Sequence, residues 1–430
     1  MKFTRFGFLI SLIVFGSWSQ AQNAALHQNA APVHVKFEDL GALIQKNNES
    51  LKAARVNIES QQERTGHLGR SFLPRLSAVS GSESFREGSS TAENKGYWSV
   101  GASINLYRGS KDAQEESVRQ ETLSAARLDS GLIYQKELRD ARLAFWQGLT
   151  YQKLIALKQD ELKKNDENLQ SARRRSGAGV ATNADALQFE LNRTLLEQSI
   201  RALELKLDLA RNRLATLLGM DSHEGLIFAG EFSLNEQPGL ALKDIQNNLE
   251  VQNLKSVQKI ESLRADQAST WWQPKLDVYA KHGVPSLSDE YARALNSQTE
   301  TYAGIAVSLD LGEGLDGFSE ARSKRLAAKA AEFRTSKKIR EVKALDQEIR
   351  HDLELTSVMI KENEKSLSKA REFLRLTQSE YARGIKNGPD LMSASKQLFE
   401  FQERFLELQR DLAMGRAALE SLLAAEESSR

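Results

Sequence analysis

Two hydrophobic periods alternate along the chain. Trp98, Val100, Ala102, Ile104 and Leu106 share one side of a stretch whose other side is Tyr97, Ser99, Gly101, Ser103 and Asn105. This is the period of two that a sheet with unlike faces requires. The pattern returns at an offset of 302 − 97 = 205, where Ala303, Ile305, Val307, Leu309 and Leu311 alternate with Tyr302, Gly304, Ala306, Ser308 and Asp310. Weaker alternation starts at Leu76 and at Leu276, the latter with Val278 and Ala280 opposite Asp277, Tyr279 and Lys281. Four strands in two hairpins are predicted, about 74–107 and 274–311, with long polar loops from roughly Gly81 to Lys95 and Pro285 to Glu300.

The remainder has helical spacing and very little glycine or proline. Leu398, Phe401, Phe405, Leu408, Leu412, Gly415, Leu419 and Leu422 alternate steps of three and four, as do Leu196, Ile200, Leu203, Leu207, Ala210, Leu214 and Leu217. Such stripes are coiled-coil seams. Between Gly109 and Gly179, and between Gly314 and Gly384, there are 179 − 109 = 384 − 314 = 70 steps, about 105 Å of continuous helix at about 1.5 Å per residue. No compact domain holds a helix that long. Shorter helical pieces at about Phe37–Phe72 and Asp185–Leu218 together match one long helix, so they are expected to stack end to end beside it.

The chain is therefore a duplication. Pro74-Arg75-Leu76 recurs as Pro274-Lys275-Leu276, and Gly179 with Asp185 recurs as Gly384 with Asp390. The expected units are 22–218 (hairpin 74–107, long helix 109–179, return helix 185–218) and 240–424 (hairpin 274–311, long helix 314–384, return helix 390–424). A linker at 219–239 contains Pro238, and 425–430 is a tail. Phe72, Trp271 and Trp272 sit just before the strands, where aromatics would anchor a barrel at a membrane interface; the alternative is that they cap a soluble core.

Residues 1–21 read as an export signal: Lys2 and Arg5 are basic, Phe6 to Gly16 is apolar but for one serine, and Ser19-Gln20-Ala21 offers small residues at a cleavage site. With 59 basic and 58 acidic residues, nothing in the charge balance points to nucleic acid. The chain has no cysteine, which removes disulfides, cysteine metal sites and a lipid-modified N-terminal cysteine. Its six histidines are scattered without HExxH, and neither a phosphate-binding loop nor GxSxG is present. No catalytic residue, metal ligand or cofactor site is assigned, and an enzyme is not expected.

Four strands cannot close a bilayer-spanning barrel. Two chains would supply eight strands and three would supply twelve, and only the larger leaves an aqueous lumen. At this point the chain resembles the TolC-like outer-membrane factor family over nearly all of its mature length. The tips Gly179-Val180-Ala181-Thr182-Asn183-Ala184-Asp185 and Gly384-Ile385-Lys386-Asn387-Gly388-Pro389-Asp390 fit that family's Gly-x5-Asp turn.

The resemblance implies a mostly α fold with a small β part. A homotrimer would place a shared 12-stranded β-barrel in the outer membrane lipid and a coiled-coil α-barrel in the periplasm. It would act as a passive duct of a tripartite efflux or type I secretion system, joined to a periplasmic adaptor and an inner-membrane pump. It also implies docking tips at Gly179, Val180, Gly384 and Ile385. Asp185 would bond to Tyr381 and Lys386 at the gate, and Asp390 would line the entrance, although Ser393 stands where a second acid is common. The alternative for aspartate at 185 and 390 is a helix N-terminal role alone. The rival from another class is a periplasmic coiled-coil scaffold or chaperone outside the membrane, which leaves the paired strands unexplained.

Overall fold

The computed structural model describes residues 33–85, 93–178, 183–232, 247–284, 286, 299–309 and 314–423. The export signal, Gly179, Val180, residues 233–239 of the linker, most of the loop after Val284, and the tail lie outside the described residues. Strand β1 is Val33–Lys36, followed by a 3-10 turn and helices α1 (Leu40–Asn47), α2 (Glu49–Arg64) and α3 (His67–Ser71). Then come β2 (Arg75–Phe85), β3 (Glu93–Arg108), α4 (Lys111–Gly177), α5 (Asn183–Leu217) and β4 (Leu226–Ala229). The second half holds α6 (Leu249–Ser269), β5 (Lys275–Val284), β6 (Glu300–Ser308), α7 (Gly314–Ala382) and α8 (Gly388–Leu423).

The hairpins join into one antiparallel sheet in the order β2-β3-β5-β6, so that β3 and β5 weld the two repeats together. Registers Ala78↔Val100, Val100↔His282, Ala102↔Ala280 and Val278↔Ile305 place Leu76, Val100, Ala102, Ile104, Val278, Ile305 and Val307 on one face. Leu76, Ile305 and Val307 are among the most exposed large apolar side chains, at 83%, 70% and 71%. The opposite face carries Ser77, Ser99, Gly101, Ser103, Asp277, Tyr279, Lys281 and Gly304. There Tyr97 lies over Gly81 and Tyr279 over Gly304, each filling the space its cross-strand glycine leaves. Strands β2 and β6 end the sheet with unpaired edges.

Strands β2 and β3 run past the point where the polar sequence suggests a loop. The register continues through Ser82↔Gly96 and Glu83↔Lys95 to Phe85↔Glu93. A ladder is held by backbone groups, so polar side chains alone do not end it. A bulge between Asn105 and Tyr107 shifts the β3–β5 register before the chain turns at Gly109 and Ser110, both at positive φ, into α4.

Helices α4 and α7 are 67 and 69 residues long, about 100 Å each at about 1.5 Å per residue. Their partners α5 and α8 bury the seams: Leu196, Leu203, Leu214, Leu398, Leu408 and Leu412 are all below a tenth exposed. Gly415 lets α8 close on Leu353 of α7, since a Cβ there would stand 2.8 Å from Leu353 Cδ2.

The opening helix expected from Phe37 to Phe72 is three helices instead. Asn48 adopts an extended conformation and caps α2 by accepting from Leu51 N, and Gly66, at φ 76°, breaks the chain again before α3. Local capping and a left-handed glycine override the helical spacing there. Asn48 Nδ2 also donates to the carbonyl of Leu217 at 2.8 Å, fastening the start of α2 to the end of α5.

The second repeat repeats the device. Asn248 caps α6 and donates to the carbonyl of Leu422, the penultimate residue of α8, at 2.8 Å. Beside this level, β1 and β4 pair in parallel, an addition to the four expected strands. They cover an aromatic core in which Phe145 and Phe228 meet edge to face at 5.7 Å.

Candidate functional site: the paired helical tips

The end of the helices away from the sheet holds a buried core shared by both coiled coils. Leu169, Ala172 and Phe189 of the first pack with Leu374, Tyr381, Leu391 and Ala394 of the second. Asn165 of α4 adds a polar tie, donating to the carbonyl of Phe189 at 2.9 Å. This core fixes where the two turns stand relative to each other.

Helix α7 ends in a Schellman turn. Gly384, at φ 81°, donates to Tyr381 O at 3.0 Å, and Ile385 donates to Glu380 O at 3.0 Å. Glycine is needed there because a Cβ strains the left-handed conformation. The turn leaves Ile385 65% exposed at the extremity, and Lys386 is exposed beside it. Helix α8 then starts in a reciprocal capping box: Asn387 Oδ1 accepts from Asp390 N at 3.0 Å, and Asp390 Oδ2 accepts from Asn387 N at 3.4 Å. The carboxylate of Asp390 is thus engaged in capping.

Asp185 lies in the first turn of α5, and its side chain rests on the start of α8. A Cβ at Gly388 would stand 3.1 Å from its Cβ and Cγ. The carboxylate sits near the positive end of a second helix dipole. Among the described residues, no hydrogen bond or ion pair joins Asp185 to Tyr381 or Lys386. Tyr381 is 6% exposed, and its hydroxyl is buried without a partner.

A residue outside the sequence expectation reaches Tyr381 instead. Arg175, in the last turn of α4, places its guanidinium carbon 4.3 Å from the Tyr381 ring centroid, and its Nη1 donates to the Tyr381 carbonyl. In sequence Arg175 is one member of an Arg173-Arg174-Arg175 run and looks like solvated surface. Arg173 does behave as surface and pairs with Glu190 of α5. Further along the helices, Lys158 lies 3.1 Å from Glu161 and 2.9 Å from Glu403, tying α4 to α8.

The aromatics before the strands divide. Trp271 packs over Gly317 at the start of α7, with its ring 4.9 Å from Phe318, whereas Phe72 and Trp272 are 48% and 56% exposed. Among the described residues no helix is long and apolar enough to cross a membrane, and no cluster of metal-ligating side chains occurs.

Residues 40–220 match the family model described as outer membrane efflux protein. No curated protein matches the chain. Solved outer-membrane channels share the fold. The transmembrane channel CusC has a TM-score of 0.78 at 13% identity, covering 93% of this chain and 96% of that one. VceC of Vibrio cholerae, an outer membrane protein, has 0.75 at 13%, covering 90% and 96%. The open-state MtrE outer membrane channel of Neisseria gonorrhoeae has 0.74 at 15%, covering 90% and 88%. At such identities the structural likeness speaks for the fold alone. Residues 40–220 are thus similar to the outer membrane efflux protein family, and the chain as a whole has the fold of solved outer-membrane channels.

Proposed function

We propose that three copies of this chain close a twelve-stranded barrel and form a passive duct from the periplasm to the exterior, as the outer-membrane part of a tripartite efflux or type I secretion system. The observation that carries the reading is the four-stranded sheet, with an apolar outer face and two unpaired edges at β2 and β6. Unpaired backbone cannot persist in hydrocarbon, so β6 of one copy must pair with β2 of the next until the ring closes. The helices support the same assembly. Leu187, Leu191, Leu195, Leu205 and Leu209 of α5 and Phe333, Leu345 and Leu355 of α7 are exposed apolar positions that neighbouring copies would cover.

At the far end, the tips dock a periplasmic adaptor that in turn engages an inner-membrane pump. Gly384 and exposed Ile385, with Gly179 and Val180 outside the described residues, form the contact. Asp185, Tyr381, Lys386 and Asp390 surround the entrance. Phe72 and Trp272 sit at the inner membrane–water boundary of the barrel, with Trp271 behind them.

Cysteine cross-linking tests the assembly, and the chain has no native cysteine to interfere. A panel of variants with one cysteine on β2 and one on β6 should give covalent trimers on oxidation in membranes. Bridges formed only within one chain would contradict the proposed ring.

A further inference from the structure

Arg175 stands where the two coiled coils of one chain meet at the periplasmic end. Its guanidinium covers the Tyr381 ring at 4.3 Å, and its Nη1 bonds to the Tyr381 carbonyl. That carbonyl already accepts from Gly384 N, so the arginine takes the second lone pair of the group that ends α7. Its Nη2 lies 3.8 Å from where a Cβ on Gly384 would stand. One side chain of α4 therefore grips the ring, the last turn and the glycine turn of the other coil. The charged groups nearby are Arg173 and Arg174 on α4, Asp185 and Glu190 on α5, Glu380 and Arg383 on α7, Lys386 in the turn and Asp390 on α8. Among the described residues none forms an ion pair with Arg175; Glu190 is taken by Arg173 and Asp390 by the capping box.

We infer that Arg175 is the positioning residue that latches the two coils together at the entrance, through an aromatic face and a peptide carbonyl rather than through a carboxylate. The inference rests on the channel reading above, because only in a tube do these ends bound an aperture. To widen the aperture, the end of α7 must slide or swing from the end of α4, and this contact resists both. The latch contains no group that titrates in the acid range. Arginine keeps its charge throughout, and a ring and a carbonyl have no proton to gain there. A carboxylate latch would release on acidification. Lysine is a poor replacement, since an ammonium has no planar fork that can lie on the ring and reach the carbonyl at once.

Single-channel conductance of full-length protein in planar bilayers tests this, at neutral and at mildly acidic pH. Arg175→Ala and Tyr381→Leu should each raise conductance several-fold, and the double variant should rise no further than either single one. Arg175→Lys should fall between Arg175→Ala and wild type. Tyr381→Phe should match wild type, since ring and carbonyl remain, and the Asp185→Asn channel should stay narrow. Wild-type conductance should not increase on acidification. Normally assembled Arg175→Ala and Tyr381→Leu channels at wild-type conductance overturn the inference, as does an Asp185→Asn channel as open as Arg175→Ala. A wild-type protein that inserts but conducts nothing overturns the duct reading, and the latch with it.

Discussion

Asn48 and Asn248 stand at equivalent places in the two repeats and make the same pair of bonds. Each caps the helix it precedes, and each donates its Nδ2 to the carbonyl at the end of the return helix, Leu217 or Leu422, at 2.8 Å. They are 4% and 8% exposed. This is how two short helices are spliced end to end beside one long one. Without a splice, each junction would leave helix-terminal donors and acceptors buried and unmet.

Replacing either asparagine by alanine removes a cap, at a cost of about 1–2 kcal/mol, and orphans a terminal carbonyl. Asn48→Ala and Asn248→Ala should both lower the temperature at which helical circular dichroism is lost. Asparagine to aspartate keeps the capping acceptor and loses the donor, so it should cost an intermediate amount. Wild-type behaviour of the aspartate variants would mean that the cross-junction bond contributes nothing.

Gly148 and Gly415 are demanded by close approach. A Cβ at 148 would enter the ring of Phe228, and one at 415 would press on Leu353. Forcing a methyl into packed surroundings costs about 1–3 kcal/mol. Gly148→Ala should loosen the β1–β4 cover, seen as faster amide exchange in Leu226–Ala229, while Gly415→Ala should disturb only the α7–α8 seam. Unchanged exchange in both variants would show that the neighbours yield freely.

The start of α3 should be sensitive to acid. Burial alone would raise the carboxyl of Glu116, but hydrogen bonds from Gly66 N, the Gln120 side chain, Leu68 N and His67 N outweigh it and hold the group below the usual glutamate range. A depressed carboxylate contributes stability that is present above its unfolded pKa and lost as pH falls through the folded value. Melting temperature measured against pH should therefore drop less steeply on the acid side for Glu116→Gln than for wild type. Parallel curves would remove Glu116 from the acid response.

Docking at the tip is best probed at Ile385, which is exposed and outside the regular helix, so a polar change there spares the fold. Ile385→Glu should abolish export from cells while leaving the protein assembled in the outer membrane. Full export by this variant would place the adaptor contact elsewhere.

Much of this architecture is legible in the chain because its signals are periodic and long. The seam through Leu398 and Leu412 and the alternation through Val100 and Ile104 each repeat over many residues and recur in the second copy. The missed features are short or nonlocal. Strands β1 and β4 have four residues each and pair across a separation of nearly the whole first repeat, which no local window reveals. The break at Asn48 is a cap inside a helical run, and Arg175 sits in a basic stretch whose other members face solvent. Asp390 could be placed from sequence, since Asn387 three residues earlier supplies the reciprocal cap. The link expected between Asp185 and Tyr381 came from family resemblance, and here the tyrosine faces arginine.

The central claim is that four strands per chain are completed by neighbours, and the mass of the purified, detergent-solubilised complex tests it most directly. Three chains per complex is the result this account predicts. A stable, membrane-inserted monomer would contradict it.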